Sequence, residues 1–274
     1  MRSATTLILA TALTGIGLST NLASAADMPV KARPAPVIAA PVAVGWSGFY
    51  VGGHIGYGRA DSETATTPLP APDTFDALPF SQTTDLKGWL GGVQAGYNWN
   101  MGGYILGFEV DWSDSHVDGA SQVAPLLLFS GAADPGSSQT TATDLKWLAT
   151  ARLRLGTAIG AQTMAYVTGG AAMGRVEYAV VTDYVGDQFR YPGALTKNKL
   201  GWTAGGGVEF GLSSNMSLKA EYLYFDLGDN TIIANPVAPN APFQVQTVHD
   251  LNGHIVRLGL NIRFGDTGAV VARY

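Results

Sequence analysis

The chain contains no cysteine, so disulfides and thiolate metal sites are excluded; this is compatible with an oxidising compartment without proving one. It is also poor in charge. Asp, Glu, Lys and Arg make up 14% of 274 residues, against roughly a quarter in ordinary soluble domains. Beyond the N-terminal leader no apolar run approaches the ~18 residues that a membrane helix needs. If the exported chain crosses a membrane, it must therefore do so as a closed barrel, the other structure that satisfies every backbone polar group in lipid. Catalytic patterns are missing as well. There is no nucleophile elbow or phosphate loop, and no helix follows the glycine run Gly205, Gly206, Gly207. No basic patch with interleaved aromatics points to nucleic acid. An enzyme is the class least supported.

What is abundant is glycine (35 residues) and aromatics (11 Tyr, 10 Phe, 6 Trp). The N-terminus has the form of a secretory signal: Arg2, an apolar stretch at 7–18, and small residues Ala23, Ser24 and Ala25 before the expected cleavage point. We assign 1–25 to that signal and 26–45 to a Pro/Ala-rich periplasmic linker, with Pro29, Pro34, Pro36 and Pro41. Residues 46–264 form the folded region, and 265–274 are a C-terminal extension.

Within 46–264 the apolar residues alternate. Residues 254–264 read H-I-V-R-L-G-L-N-I-R-F, with Val256, Leu258, Leu260, Ile262 and Phe264 on one face and Arg257, Asn261 and Arg263 on the other. Comparable ribbons occur at 46–58, 88–98, 104–112, 144–158, 162–177, 199–212 and 216–226, although the glycine-rich fifth has no assignable face. Their connections alternate long and short. The long ones span 59–87, 113–143, 178–198 and 227–250, and the short ones carry Gly and Asn turn signals. This predicts an all-β fold: an eight-stranded antiparallel up-and-down transmembrane barrel. Each strand should run the 9–11 residues of a tilted span, with four long external loops, short periplasmic turns and both termini periplasmic.

Charges fall on the face opposite the aromatics: Glu109, Asp111, Arg152, Arg154, Glu209, Lys219, Glu221, Arg257 and Arg263. A charge facing lipid costs roughly 2–4 kcal/mol at the midplane, so these nine are expected in the lumen as a salt-bridge network. Such a network would fill a bore only as wide as the side chains of an eight-stranded barrel. Aromatics at strand ends, Trp46, Tyr57, Trp89, Trp99, Tyr104, Trp112, Trp147, Trp202 and Phe264, are expected to form interfacial girdles.

Several stretches together resemble the alpha-proteobacterial outer-membrane β-barrel proteins of the opacity/porin-like group, with an OmpA-type barrel. They are W-S-G-F-Y-V-G-G-H-I-G-Y-G, G-F-E-V-D-W, W-L-A-T-A-R-L-R-L-G, G-W-T-A-G-G-G-V-E-F, L-K-A-E-Y-L-Y-F-D-L-G and the last strand. The resemblance implies a surface antigen and envelope component in the outer membrane of a Gram-negative cell. It is in contact with lipids and lipopolysaccharide, and is inserted by the barrel-assembly machinery with periplasmic chaperones. Arg257, Gly259, Ile262 and Phe264 resemble the insertion signal of that machinery, although 265–274 continues past the usual terminal aromatic.

Three functions stay open: a structural barrel supporting the envelope, a narrow porin passing small solutes, or a protein that binds a ligand (haem or a host molecule) or acts in adhesion through its loops. For the last, His249 and His254 near one strand end are the haem candidates. Asp114 and His116 have weak metal spacing, and no cofactor or metal is assigned. The apolar stretch of Pro125, Leu126, Leu127, Leu128 and Phe129 in an expected external loop is read as loop packing. A contact for lipid A, a partner or another barrel is the alternative.

Overall fold

The computed structural model describes residues 44–69, 78–128, 130–184, 189–235 and 244–264. The signal, nearly all of the linker and the 265–274 extension lie outside these. Eight long strands form the body: β1 Gly48–Leu69, β2 Phe80–Asn100, β3 Ile105–Val123, β4 Ser138–Ile159, β5 Thr163–Tyr184, β6 Phe189–Gly211, β7 Met216–Ala234 and β8 Gln244–Phe264. Each pairs antiparallel with its chain neighbours, and β1 pairs with β8, so the sheet closes and leaves no free edge. Phe49 meets Phe264 and Leu69 meets Gln244, so the closing seam is continuous over 21 residue pairs.

The strands are 19 to 23 residues long, about twice the expected span. Most of the residues assigned to external loops are in fact strand. The outward residues explain why. On β8, Val256, Leu258, Leu260, Ile262 and Phe264 are 41–61% exposed over nine residues, the length of one tilted crossing. Beyond them the same face continues as His254, Asn252 and Asp250. On β1, Phe49, Val51, Ile55 and Tyr57 give way to Arg59, Asp61 and Glu63, all still paired. The outer face turns polar where lipid ends, and the ladder runs on into water as a raised collar.

On the periplasmic side the strands are joined by short turns at 101–104, 160–162 and 212–215; at the other end the strand ends are separated by 70–79, 124–137, 185–188 and 235–243. Gly102 (φ 81°) and Gly160 (φ 72°) occupy left-handed conformations in the first two turns, which glycine adopts without a Cβ penalty. In the second outer connection Leu126–Leu127 pair with Ala133–Asp134 as a small hairpin.

The fifth strand, whose facing the sequence left open, points Met164, Tyr166, Thr168, Val176 and Tyr178 inward and Val167, Met173 and Arg175 outward.

Candidate functional site

The interior is stacked in layers. At the periplasmic mouth Val44, Trp46, Ile105, Met164 and Tyr166 form an apolar plug. Val44 N–H donates to the Ala161 carbonyl (3.0 Å), which ties the incoming chain to the β4–β5 turn. Trp46 is 2% exposed and lies under the Arg263 guanidinium, 4.7 Å from ring centroid to Cζ. This corrects the girdle assignment of Trp46. The chain enters the barrel at this point, so the ring turns into the mouth instead of out to lipid. Tyr57, Trp89, Trp99, Tyr104, Trp112, Trp202 and Phe264 are 39–68% exposed on the outer wall, and Trp147 is partly exposed there.

Above the plug lies the charged layer. Register places acid against base across three strand pairs: Glu109 opposite Arg152, Glu209 opposite Lys219, and Glu221 opposite Arg257. The side chains extend from there across the bore. Glu109 is fully buried. Its carboxylate accepts from Arg152 Nη2 (2.5 Å), Arg154 Nη1 (3.3 Å) and Lys219 Nζ (3.0 Å to each oxygen), and Arg257 Nη2 lies at 3.6 Å. Arg257 donates through both Nη1 and Nη2 to Asp111 (3.0 and 3.1 Å) and through Nε to Glu221 (2.5 Å). Arg152 also reaches Asp111 (2.9 Å) and Glu221 (3.1 Å), and Arg154 reaches Glu209 (3.0 Å). Four cations thus meet four carboxylates, all at most 6% exposed, and the cluster is formally neutral. Arg263, the ninth expected member, makes no ion pair within 4.0 Å among the described residues. It sits over Trp46 instead and donates to the Ser214 carbonyl at 3.5 Å.

Neutral groups complete the layer, and sequence reasoning did not single them out. Tyr50 donates to Glu109 (2.8 Å) and Tyr166 to Glu221 (2.8 Å). Thr150 donates to Asp111, Ser217 and Asn261 donate to Glu209, and Gln94 donates to Asn261. With these, all eight strands contribute a side chain. The available signal was an inward Tyr50 on a strand otherwise rich in inward glycine. Bulky lumen groups need space on facing strands: a Cβ at Gly96 would lie 2.4 Å from Tyr50 Oη, and one at Gly207 2.7 Å from Tyr166 Oη.

Further out the interior reverses character. Leu86, Leu90, Val117, Leu145, Leu148, Val176, Leu223, Phe225, Leu251 and Ile255 are part of a continuous apolar core. Above it comes a hydrogen-bonded amide and hydroxyl layer. Gln139 accepts from Thr66 (3.0 Å) and Gln82 (3.2 Å) and donates to Thr182 (2.9 Å). Lys199 donates to the Gly228 carbonyl and to Tyr178 Oη (3.3 Å), and burial lowers its ammonium pKa to about 8. At the outer mouth Leu126, Tyr184, Tyr191, Ala234 and Val245 pack together as a lid, with Phe80 and Val123 against them. Part of the apolar stretch of the second outer connection is therefore inside the barrel, although Leu127 stays 50% exposed.

The histidines do not assemble. His249 faces inward with no exposure, its Nδ1 3.0 Å from Thr64 Oγ1 and its ring 4.7 Å from Tyr178. His254 faces outward beside Tyr222 and Tyr224. Five residues apart on one strand, they lie on opposite sides of the wall, which removes them as a joint haem site. His116 Nδ1 lies 4.0 Å from Asp114 on the outer surface, and no cluster of three or more metal-ligating groups occurs among the described residues.

A closed ring of antiparallel strands, apolar outside over one crossing and charged inside at that level, defines an integral outer-membrane β-barrel protein. The model of the outer membrane protein beta-barrel domain family matches residues 23–264, and the chain belongs to that family. It is 35% identical over 246 residues to the 31 kDa outer-membrane immunogenic protein of Brucella melitensis, covering 88% of this chain and 93% of that one. It is 29% identical over 181 residues to the 22 kDa outer membrane protein of Rhizobium leguminosarum, covering 66% and 64%. Among solved structures, OprG from Pseudomonas aeruginosa aligns at 12% identity and a TM-score of 0.46, covering 81% of this chain and 99% of that one. The protein resides in the outer membrane.

Proposed function

We propose that this protein is a non-conducting structural barrel that anchors a rigid collar and its loops at the cell surface and supports the envelope. The observation that carries this reading is the neutral ion network to which all eight strands contribute. An ion entering the bore has to break charge-assisted hydrogen bonds that have no water to replace them. The apolar plug and lid at the two mouths support the same reading. Relatives named as immunogenic proteins suit a molecule that lifts paired strands well clear of the lipid. In this reading β8 is also the segment read by the barrel-assembly machinery, with Ile262 and Phe264 facing lipid while Arg257 is committed to the lumen.

Conductance of the purified protein in planar bilayers tests the proposal. We expect no stable openings above the leak of protein-free membrane. Large, long-lived, ion-selective openings would establish a porin instead.

A further inference from the structure

On the outer wall two bases face each other across one strand pair. Arg59 on β1 stands directly opposite Lys87 on β2, both exposed, with His254 of β8 on the other flank of Arg59. Directly opposed side chains on an antiparallel pair lie about 5 Å apart at Cβ, where like charges repel. Neither Arg59 nor Lys87 has an ion-pair partner within 4.0 Å among the described residues. Lys146, by contrast, is held by Asp144 and by Glu177 at 3.4 Å, and Arg190 lies 3.6 Å from Asp183. Arg175 and Lys197 also have no ion pair among the described residues, but neither stands opposite another base: Arg175 faces Trp147 and Asn198, and Lys197 faces Val176.

The position of the row is informative. One step toward the membrane, on the same face, stand Tyr57 and Trp89, rings edge to face at 5.3 Å, which mark the lipid boundary. One step outward stand Asp61 and Asp85, also directly opposed. Asp118 pairs in register with Lys87 and closes the row on β3. Moving outward the order is aromatic, basic, acidic. An anion drawn to Arg59 and Lys87 is held off the acidic row and kept at headgroup depth. Its attached chains lie along the apolar wall below, formed by Val51, Ile55, Val93 and Leu258.

We infer that Arg59 and Lys87 form a binding site for the phosphate of an outer-leaflet lipid, its acyl chains running down the β8–β1–β2 wall. Guanidinium and ammonium are both phosphate ligands, the former able to bind two oxygens at once.

The test uses the full chain purified in detergent and titrated with bisphosphorylated lipid A, with binding followed by native mass spectrometry. The Arg59→Gln/Lys87→Gln variant should bind about 30-fold more weakly, the factor expected from roughly 1 kcal/mol per basic residue at a membrane surface. Lys146→Gln should bind as the parent does, and lipid A stripped of phosphate should not discriminate between parent and double variant. In lipid-free detergent the double variant should keep its heat-modifiable mobility. Its urea midpoint should be equal or higher, because a repulsive pair has been removed. Unchanged affinity in the double variant, an equal loss in Lys146→Gln, or a lowered urea midpoint would overturn the site. Inorganic phosphate binding as tightly as lipid A would overturn the lipid as its source.

Discussion

Glu109→Gln is the sharpest probe of the charged layer. The substitution keeps size and shape but removes the carboxylate that faces Arg152, Arg154, Lys219 and Arg257. The layer then holds four buried cations against Asp111, Glu209 and Glu221, one uncompensated positive charge in a site without solvent. Removing one partner of a buried pair typically costs about 3–5 kcal/mol, because the remaining charge stays desolvated. With a urea m-value of about 2–3 kcal/mol/M, that loss lowers the unfolding midpoint by roughly 1–2.5 M. The measurement is urea unfolding of the detergent-solubilised protein, read by tryptophan fluorescence and by heat-modifiable gel mobility. A compensating variant makes the reasoning specific. Lys219→Met, added to Glu109→Gln, returns the layer to three cations and three carboxylates. The double variant should recover part of the loss, with a coupling of about 2 kcal/mol against the sum of the singles. A loss below ~1 kcal/mol for Glu109→Gln, or strict additivity in the cycle, would show that the layer is not an electrostatically closed unit.

Two further outcomes follow from the collar. His249 has its pKa lowered to about 4 by burial and by Lys199, whereas the unfolded chain titrates near the ordinary 6.5. Between these values the unfolded state binds more protons, so stability falls as pH drops from 6.5 toward 4 and is flat in this respect above 6.5. His249→Gln should flatten that limb of a urea-midpoint profile, and an unchanged limb would show that the proton is taken up elsewhere. Leu126→Ala empties a buried site in the lid and should cost about 2–5 kcal/mol of local packing, read as faster proteolysis within 124–137 with the membrane belt intact. Equal cleavage rates would mean that the lid does not hold that connection.

Strand number, antiparallel order and the lipid-facing side of most strands were legible because most crossings carry an apolar alternation, as on β8. The extent of the strands was not. At 59–69 the outward residues are Arg59, Asp61, Glu63, Ala65 and Thr67, and the inward ones Ala60, Ser62, Thr64 and Thr66, so no greasy face marks the ladder. On β4 a register shift between Leu145 and Trp147 sends Leu145 inward while Trp147 stays outside, which breaks the two-residue period. On β5 the neighbours Ala171 and Ala172 face opposite sides with the same side chain. The acids and bases of the lumen could be gathered from their shared face. That Arg263 turns to Trp46 instead depends on the path of the chain just before β1, which carries no periodic signal.

The reversal of the interior along the barrel axis follows from what surrounds the wall. Within the belt the outside is hydrocarbon, so burying apolar groups in the lumen gains little, since lipid solvates them equally well. Polar groups in the lumen, satisfied only by one another, can instead fix the relative positions of the strands. Above the belt the outside is water. Burial of Leu86, Leu148, Phe225, Leu227 and Leu251 then removes apolar area from solvent at roughly 25 cal/mol per Å², and the collar is held as a soluble β-barrel is. The crossover falls near Gly58, whose neighbours Leu90, Val117 and Ile255 are inward and apolar, while His54, two inward positions below, is hydrogen-bonded to Ser113 at 2.8 Å. One continuous set of strands therefore carries two differently stabilised halves. Urea, which weakens apolar burial in water, acts first on the collar, and loss of the collar exposes the charged layer from above. The stability of the lumen network is consequently coupled to a core that none of its own residues touch in the sequence pattern, and the two halves share the unbroken ladders of all eight strands.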